Sequence, residues 1–142
     1  MSENYEKFWV SQVGILIRDK RCLVLEFASH PGRWGLPGGR IDKNEASAEH
    51  AFRREILEEL GFENFAILGI IGHETWYNPE NQPVCAVAHL IKNNLDDIEL
   101  SDEHISMQWI KEEQIDEIDF LWPCSAEFIK NGFTFNKNLC QN

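Results

Sequence analysis

The run Arg54-Glu55-Ile56-Leu57-Glu58-Glu59-Leu60-Gly61-Phe62 constrains the fold of this chain more than any other stretch, because its apolar and acidic residues separate cleanly only on a helix. A rotation of about 100° per residue puts Glu55, Glu58 and Glu59 inside roughly a 100° arc, with Phe52, Ile56, Leu57 and Leu60 on the opposite side. The reading is an amphipathic helix whose acidic stripe faces out of the core, with no lysine to neutralise it. Such pairs cost an isolated helix only about 0.2–0.5 kcal/mol each in water. In a cleft of effective dielectric ~20, charges ~6 Å apart repel by roughly 3 kcal/mol per pair. A divalent cation bound among them reverses the sign, so this face calls for a metal.

The flanks fit a bounded unit. Trp34-Gly35-Leu36-Pro37-Gly38-Gly39-Arg40-Ile41 is a bulky, strand-like stretch broken by a Pro-Gly-Gly turn, and Asp42-Lys43-Asn44-Glu45 leads from it toward the helix. Adjacent glycines let backbone approach a ligand or ion closely. Ser47 is the expected N-cap, Glu49 stands in the first turn where the macrodipole favours negative charge, and Gly61 supplies the left-handed stop.

On these residues the chain resembles the Nudix hydrolase family, whose signature is Gly, five residues, Glu, seven residues, then Arg-Glu-apolar-x-Glu-Glu-x-Gly-apolar. Gly39 and Glu45 satisfy the first spacing, and Arg54 to Phe62 satisfy the last nine positions. Eight residues, Ala46 to Arg53, stand where the pattern has seven. The extra residue is expected in the loop around Ala46 to Ala48, which leaves the helix in phase and puts the reach of Glu45 to Arg54 in question. The resemblance implies that Glu55, Glu58 and Glu59 bind Mg²⁺, with Mn²⁺ as the alternative, that the Gly39 carbonyl adds a ligand, and that Arg54 orients Glu55. All-oxygen donors suit Mg²⁺, which keeps waters and bridges to substrate phosphates. The implied reaction is cleavage of a pyrophosphate by activated water.

The general base is left open among Glu55, Glu103 and His104. The run Leu100-Ser101-Asp102-Glu103-His104, ahead of the strand-like Ile105 to Ile110, is similar to the family loop that closes over the acidic helix. Candidate substrate contacts are Arg33, Trp34 and Arg40 around the glycine loop, with Trp76 and Tyr77 as further aromatics beside a Pro/Asn turn. The stretch from Gly39 to Gly61 also has a local likeness to the GDP-mannose mannosyl hydrolase branch, which attacks the sugar carbon. Retention of Glu55, Glu58 and Glu59 favours attack at phosphorus. The substrate class therefore stays at a nucleoside diphosphate derivative: a nucleotide, a nucleoside triphosphate or a nucleotide sugar. The alternatives are sugar-carbon hydrolysis, a non-catalytic nucleotide-binding module, and an interaction domain with a fortuitous acidic helix.

Composition agrees with one small enzyme domain over residues 1–142. Net charge is −11, which excludes a broad surface for nucleic acid polymers or anionic membrane. No apolar run is long enough to span a membrane, and Met1 to Lys7 is polar and acidic, so a cytoplasmic protein acting on a small-molecule nucleotide is expected. Cys22, Cys85, Cys124 and Cys140 lack metal spacing and read as reduced thiols, and His30, His50, His73 and His89 read as structural or exposed. The family implies a homodimer as one assembly, although nothing in the chain identifies an interface.

Phe8 to Ile17 and Cys22 to Phe27 form an expected hairpin through Arg18 to Arg21, and Ile67 to Tyr77 with Val84 to Ile91 a second one through Asn78 to Pro83. Lys111 to Ile118 and Ser125 to Asn131 read as short helices, the latter stopping at Gly132. Together these give an α/β/α sandwich with a mixed sheet between helices, the fold the resemblance also implies.

Overall fold

The computed structural model describes residues 4–140, so the first three residues of the acidic stretch Met1 to Lys7 lie outside the described residues. Strands β1 (Trp9–Arg18), β2 (Arg21–Phe27), β3 (Trp34–Gly35) and β4 (Gly38–Arg40) precede helix α1 (Ala48–Leu60). Strands β5 (Ala66–Tyr77), β6 (Pro83–Lys92) and β7 (His104–Lys111) follow, then a 3-10 turn over Glu112–Glu117 and helix α2 (Ser125–Cys140).

The seven strands form one mixed sheet in the order β3-β2-β1-β6-β5, with β4 on β1 and β7 on β2. Both expected hairpins form. The first turns on Asp19 and Lys20, both in the left-handed region, the conformation that matches the twist of two antiparallel strands. In the second, the Asn78 side chain organises the turn: its carboxamide oxygen accepts from the Gln82 amide at 2.8 Å and its NH₂ donates to Gln82 Oε1 at 2.9 Å. The parallel pairing of β1 with β6 brings Gln12 beside Val87 and Gly14 beside His89.

Period-two alternation sends successive residues of β1 to opposite faces, so Leu16 joins one core while Ile15 and Ile17 join the other. Helix α1 closes the first with Phe52, Ile56 and Leu60 against Leu16, Leu23, Leu25 and Ile91. Helix α2 closes the second with Phe128, Ile129 and Phe133 against Ile15, Val24 and Leu90. Each such side chain contributes about 1.5–3 kcal/mol when fully buried. This is the α/β/α sandwich that the sequence led us to expect.

Three local expectations need correction. Helix α2 runs through Gly132 to Cys140, because Gly132 lies against the sheet where a Cβ would stand 2.6 Å from Ile15 Cγ2; close packing, and not termination, places the glycine there. Leu57 does not join the core and is 43% exposed, whereas Glu59 is only 3% exposed, so the acidic stripe does not face wholly outward. The segment after β7 is a 3-10 turn, held by Gln114 Oε1 accepting from the Lys111 amide at 2.8 Å with Ile115 buried beneath it. The cysteines Cys22, Cys85, Cys124 and Cys140 are unbridged. Among the described residues, no helix is long and apolar enough to cross a membrane.

Candidate active site

Helix α1 is fixed at both ends by the residues its sequence offers for that purpose. Ser47 caps it by accepting from the His50 amide at 3.0 Å, and Gly61 ends it at φ 84°, donating to the Leu57 carbonyl at 2.9 Å. The helix runs unbroken from Ala48 to Leu60, so Glu55, Glu58 and Glu59 keep their helical spacing.

Arg54 organises the carboxylates. Its Nε donates to Glu45 Oε2 at 2.9 Å and its Nη2 to Glu45 Oε1 at 2.7 Å, a two-point pair that resolves in the affirmative whether Glu45 reaches it. Nη1 donates to Glu55 Oε1 at 3.0 Å and to both Glu58 oxygens at 3.3 Å. Nη2 also reaches the Arg40 carbonyl, tying the helix to the end of the glycine loop. The guanidinium, with help from the Asp42 amide, holds the Glu45 carboxyl down at about 2, and these carboxylates in turn raise the pKa of Arg54. Both groups are charged at neutral pH.

Glu55 and Glu59 sit differently. Burial raises the Glu55 pKa, opposed by Arg54 and reinforced by the charges of Glu58 and Glu103. Burial pushes Glu59 up to about 8, against a hydrogen bond from the Gly38 amide to its Oε1 at 3.0 Å, with Glu55, Glu103 and Glu58 adding repulsion. In the absence of a cation Glu59 is therefore largely protonated at neutral pH. His104 Nδ1 lies 3.7 Å from Glu59 Oε2. Burial lowers the His104 pKa, so both partners are neutral near pH 7 and the contact is not an ion pair. Neither His104 ring nitrogen has a hydrogen-bond partner, and the ring packs on Phe27 at 5.4 Å between centroids.

The glycine loop lies on the acidic helix. A Cβ at Gly39 would meet the Glu55 carboxyl carbon at 2.4 Å, so only a glycine lets the loop rest on that carboxylate. Gly38 has φ 144°, and a Cβ there would strike the Gln12 carbonyl oxygen at 1.9 Å. Among the described residues, no three His, Cys, Asp or Glu side chains are gathered tightly enough to hold an ion by themselves. Two of the helix carboxylates, Glu55 and Glu58, are engaged by Arg54 Nη1. The donors still fit magnesium, which commonly takes one or two carboxylates and completes its shell with water and substrate phosphate.

A cavity of about 210 Å³ opens beside this cluster, lined on one side by Gly39, Arg40, Glu59, Glu103 and His104 and elsewhere by Trp76, Trp122 and Phe128. Of the proposed substrate contacts, Arg40 lines the cavity, with its guanidinium 4.7 Å from the centre of the Trp9 ring. Arg33 does not line it: its guanidinium is engaged by Asp119 at 3.1 Å and the Phe120 carbonyl at 2.8 Å. Trp34 packs against the core beneath α2, and Tyr77 turns to Glu6. Trp76 lines the cavity as one of the further aromatics considered, whereas Trp122, Phe128 and Asn78 were not foreseen. They come from three separate segments, and no spacing in the chain links them; only the Trp-Pro before α2 hints at a fixed aromatic.

The sequence profile described as the NUDIX domain matches residues 9–132. The chain belongs to the NUDIX family. A Bacillus subtilis (strain 168) protein provisionally named an 8-oxo-dGTP diphosphatase is 43% identical to this NUDIX domain over 58 residues, 41% of the chain but only 38% of that protein. The MutT protein of Methanosarcina mazei Go1 superposes with a TM-score of 0.76 at 25% identity, covering 93% of this chain and 97% of its own. A NUDIX hydrolase from Nitrosomonas europaea gives the same TM-score of 0.76 at 18% identity over 91% and 90% of the two chains, a likeness of fold. The segment Gly39 to Phe62 that carries the family signature is thus the one that holds Arg54 and its carboxylates together.

Proposed function

We propose that this NUDIX domain hydrolyses a diphosphate linkage in a nucleoside triphosphate or a related nucleoside diphosphate derivative, with Mg²⁺ or Mn²⁺ as cofactor. The observation that carries this is the continuity of one cavity with both chemistries: hard oxygen donors at Gly39, Glu59 and Glu103, and an aromatic lining of Trp76, Trp122 and Phe128. Its volume of about 210 Å³ falls below the ~300–1,000 Å³ of pockets that enclose drug-sized ligands. It suits one base and not the two of a dinucleotide. The name of the Bacillus subtilis relative supports a nucleoside triphosphate.

In this reading Glu55, Glu58, Glu59 and the Gly39 carbonyl hold the cation. When bound, it supplies neutralisation of the diphosphate charge and acidifies water, the two things the reaction lacks at neutral pH. Arg54 fixes Glu55 and Glu58, and Glu45 fixes Arg54. Glu103 is the general base: it is exposed and lines the cavity, whereas both His104 nitrogens are sealed from solvent and Glu55 Oε1 is engaged by Arg54. Arg40 meets the phosphates at the cavity rim. Retention of all three helix glutamates disfavours attack at a sugar carbon.

The test is release of phosphate-bearing products from a panel of nucleoside triphosphates, dinucleotides and nucleotide sugars, with and without Mg²⁺, and with Glu58→Gln as control. Turnover of triphosphates that needs Mg²⁺ and falls ~10²-fold in the variant is expected. Metal-independent turnover, or an unaffected variant, refutes the assignment.

A further inference from the structure

Two polar side chains lie buried between the sheet and α1 without any part in the chemistry above. Gln12 on β1 is 4% exposed and His89 on β6 is 9% exposed. Gln12 Nε2 donates to the Ala48 carbonyl, the first residue of α1, at 2.7 Å. With the carboxamide nitrogen so engaged, its Oε1 must accept, and His89 Nε2 lies 3.1 Å away as the donor. That contact fixes the neutral tautomer with Nδ1 bare, which agrees with a pKa lowered by burial and with Nδ1 lacking a partner. The His89 ring in turn packs 4.5 Å from Phe52 on the buried face of α1.

The backbone of the same glutamine touches the other half of the site. Gln12 pairs with Gly39 in the β1–β4 register, and its carbonyl is the atom that forbids a side chain at Gly38. One residue therefore holds the glycine loop with its main chain and the start of the acidic helix with its side chain. The other direct hydrogen bonds between helix and loop lie further along the helix, from Arg54 Nη2 to the Arg40 carbonyl and from the Gly38 amide to Glu59. Neither of these bonds holds the first turn of the helix, which the Gln12 side chain does.

We propose that Gln12, locked by His89, is a positioning residue that sets the first turn of α1 against the glycine loop and so fixes the spacing between Gly39 and the helix carboxylates. The consequence for metal rests on reading α1 as the cation-binding helix; the tether itself does not.

The test uses the full chain carrying Gln12→Leu together with His89→Leu, since removing both polar partners leaves no orphaned group and keeps the fold, where Gln12→Leu alone strands the His89 N–H. Hydrogen exchange is read at Ala51 to Arg54, with Leu23 and Leu25 in the same core as reference. Mn²⁺ affinity is read by calorimetry without nucleotide. The expected result is a melting temperature close to that of the parent, exchange at Ala51 to Arg54 faster by about tenfold against an unchanged reference, and Mn²⁺ bound about tenfold more weakly. Parental exchange at those amides overturns the tether. Faster exchange with parental Mn²⁺ affinity overturns the positioning role and leaves Gln12 a purely structural residue. Failure of the parent to take up Mn²⁺ refutes the hydrolase reading, and the exchange measurement still decides the tether.

Discussion

Gly39 and Glu55 touch so closely that the smallest side chain at position 39 would stand 2.4 Å from the Glu55 carboxyl carbon. The colliding atoms are the end of a flexible side chain, and the Gly39 backbone is not in the left-handed region. Gly39→Ala is therefore expected to fold with a melting temperature within a few degrees of the parent while swinging Glu55 aside, lowering Mn²⁺ affinity by about tenfold or more in calorimetry. Gly38→Ala is the contrast: its added methyl meets rigid backbone at 1.9 Å and φ 144°, so a loss of about 3 kcal/mol or more in urea unfolding is expected.

Glu59 gives a pH dependence of definite sign. Its pKa rises from an ordinary 4.5 to about 8 on folding, so between those values the folded protein holds a proton that the unfolded chain has released. Stability without divalent cation must then fall as pH rises across that window, by an amount on the order of a few kcal/mol. Urea melts at about pH 5 and pH 8.5 should show the loss in the parent and its absence in Glu59→Gln. A parent whose stability rises over that range contradicts the buried, protonated carboxyl.

The Glu45–Arg54 pair acts in the opposite direction. Its carboxyl is held at about 2, below an ordinary 4.5, so its contribution is complete above the ordinary value and disappears as pH falls toward 2. Glu45→Gln should flatten that part of the acid unfolding curve. It should also lower kcat by about tenfold with little change in KM, because Arg54 loses the anchor from which it orients Glu55 and Glu58.

Gly132→Ala separates helix propensity from packing. Alanine is favoured over glycine within a helix by about 1 kcal/mol, yet here its methyl would lie 2.6 Å from Ile15 Cγ2 in a closed core. Overpacking typically costs about 1–3 kcal/mol, so net destabilisation with unchanged Mn²⁺ affinity is the expected result of thermal melts and calorimetry. A stabilised variant would mean that the core yields to the methyl and that helix propensity outweighs packing at Gly132.

What the chain discloses on inspection is whatever depends on neighbours in sequence. The cap at Ser47, the stop at Gly61, both hairpins and the grouping of Glu55, Glu58 and Glu59 follow from spacing alone, and the structure has each of them. Glu59 shows the limit: helical phase groups it with the other acids, but its burial depends on Gly38 and His104, which reach it only after the sheet forms. The cavity is less legible still. Trp76, Trp122 and Phe128 converge through tertiary packing, and Trp34, which stands beside the glycine loop in sequence, is drawn into the core instead.

The parallel pairing of β1 with β6 has a consequence for biosynthesis. Gln12 and Ala48 emerge from the ribosome long before His89, the partner that locks the glutamine in place. The complete acidic signature thus exists as nascent polypeptide while the strand that seats it is still untranslated, and long-range pairings of this sort form slowly. The contact that locks Gln12 can close only once β6 has been made.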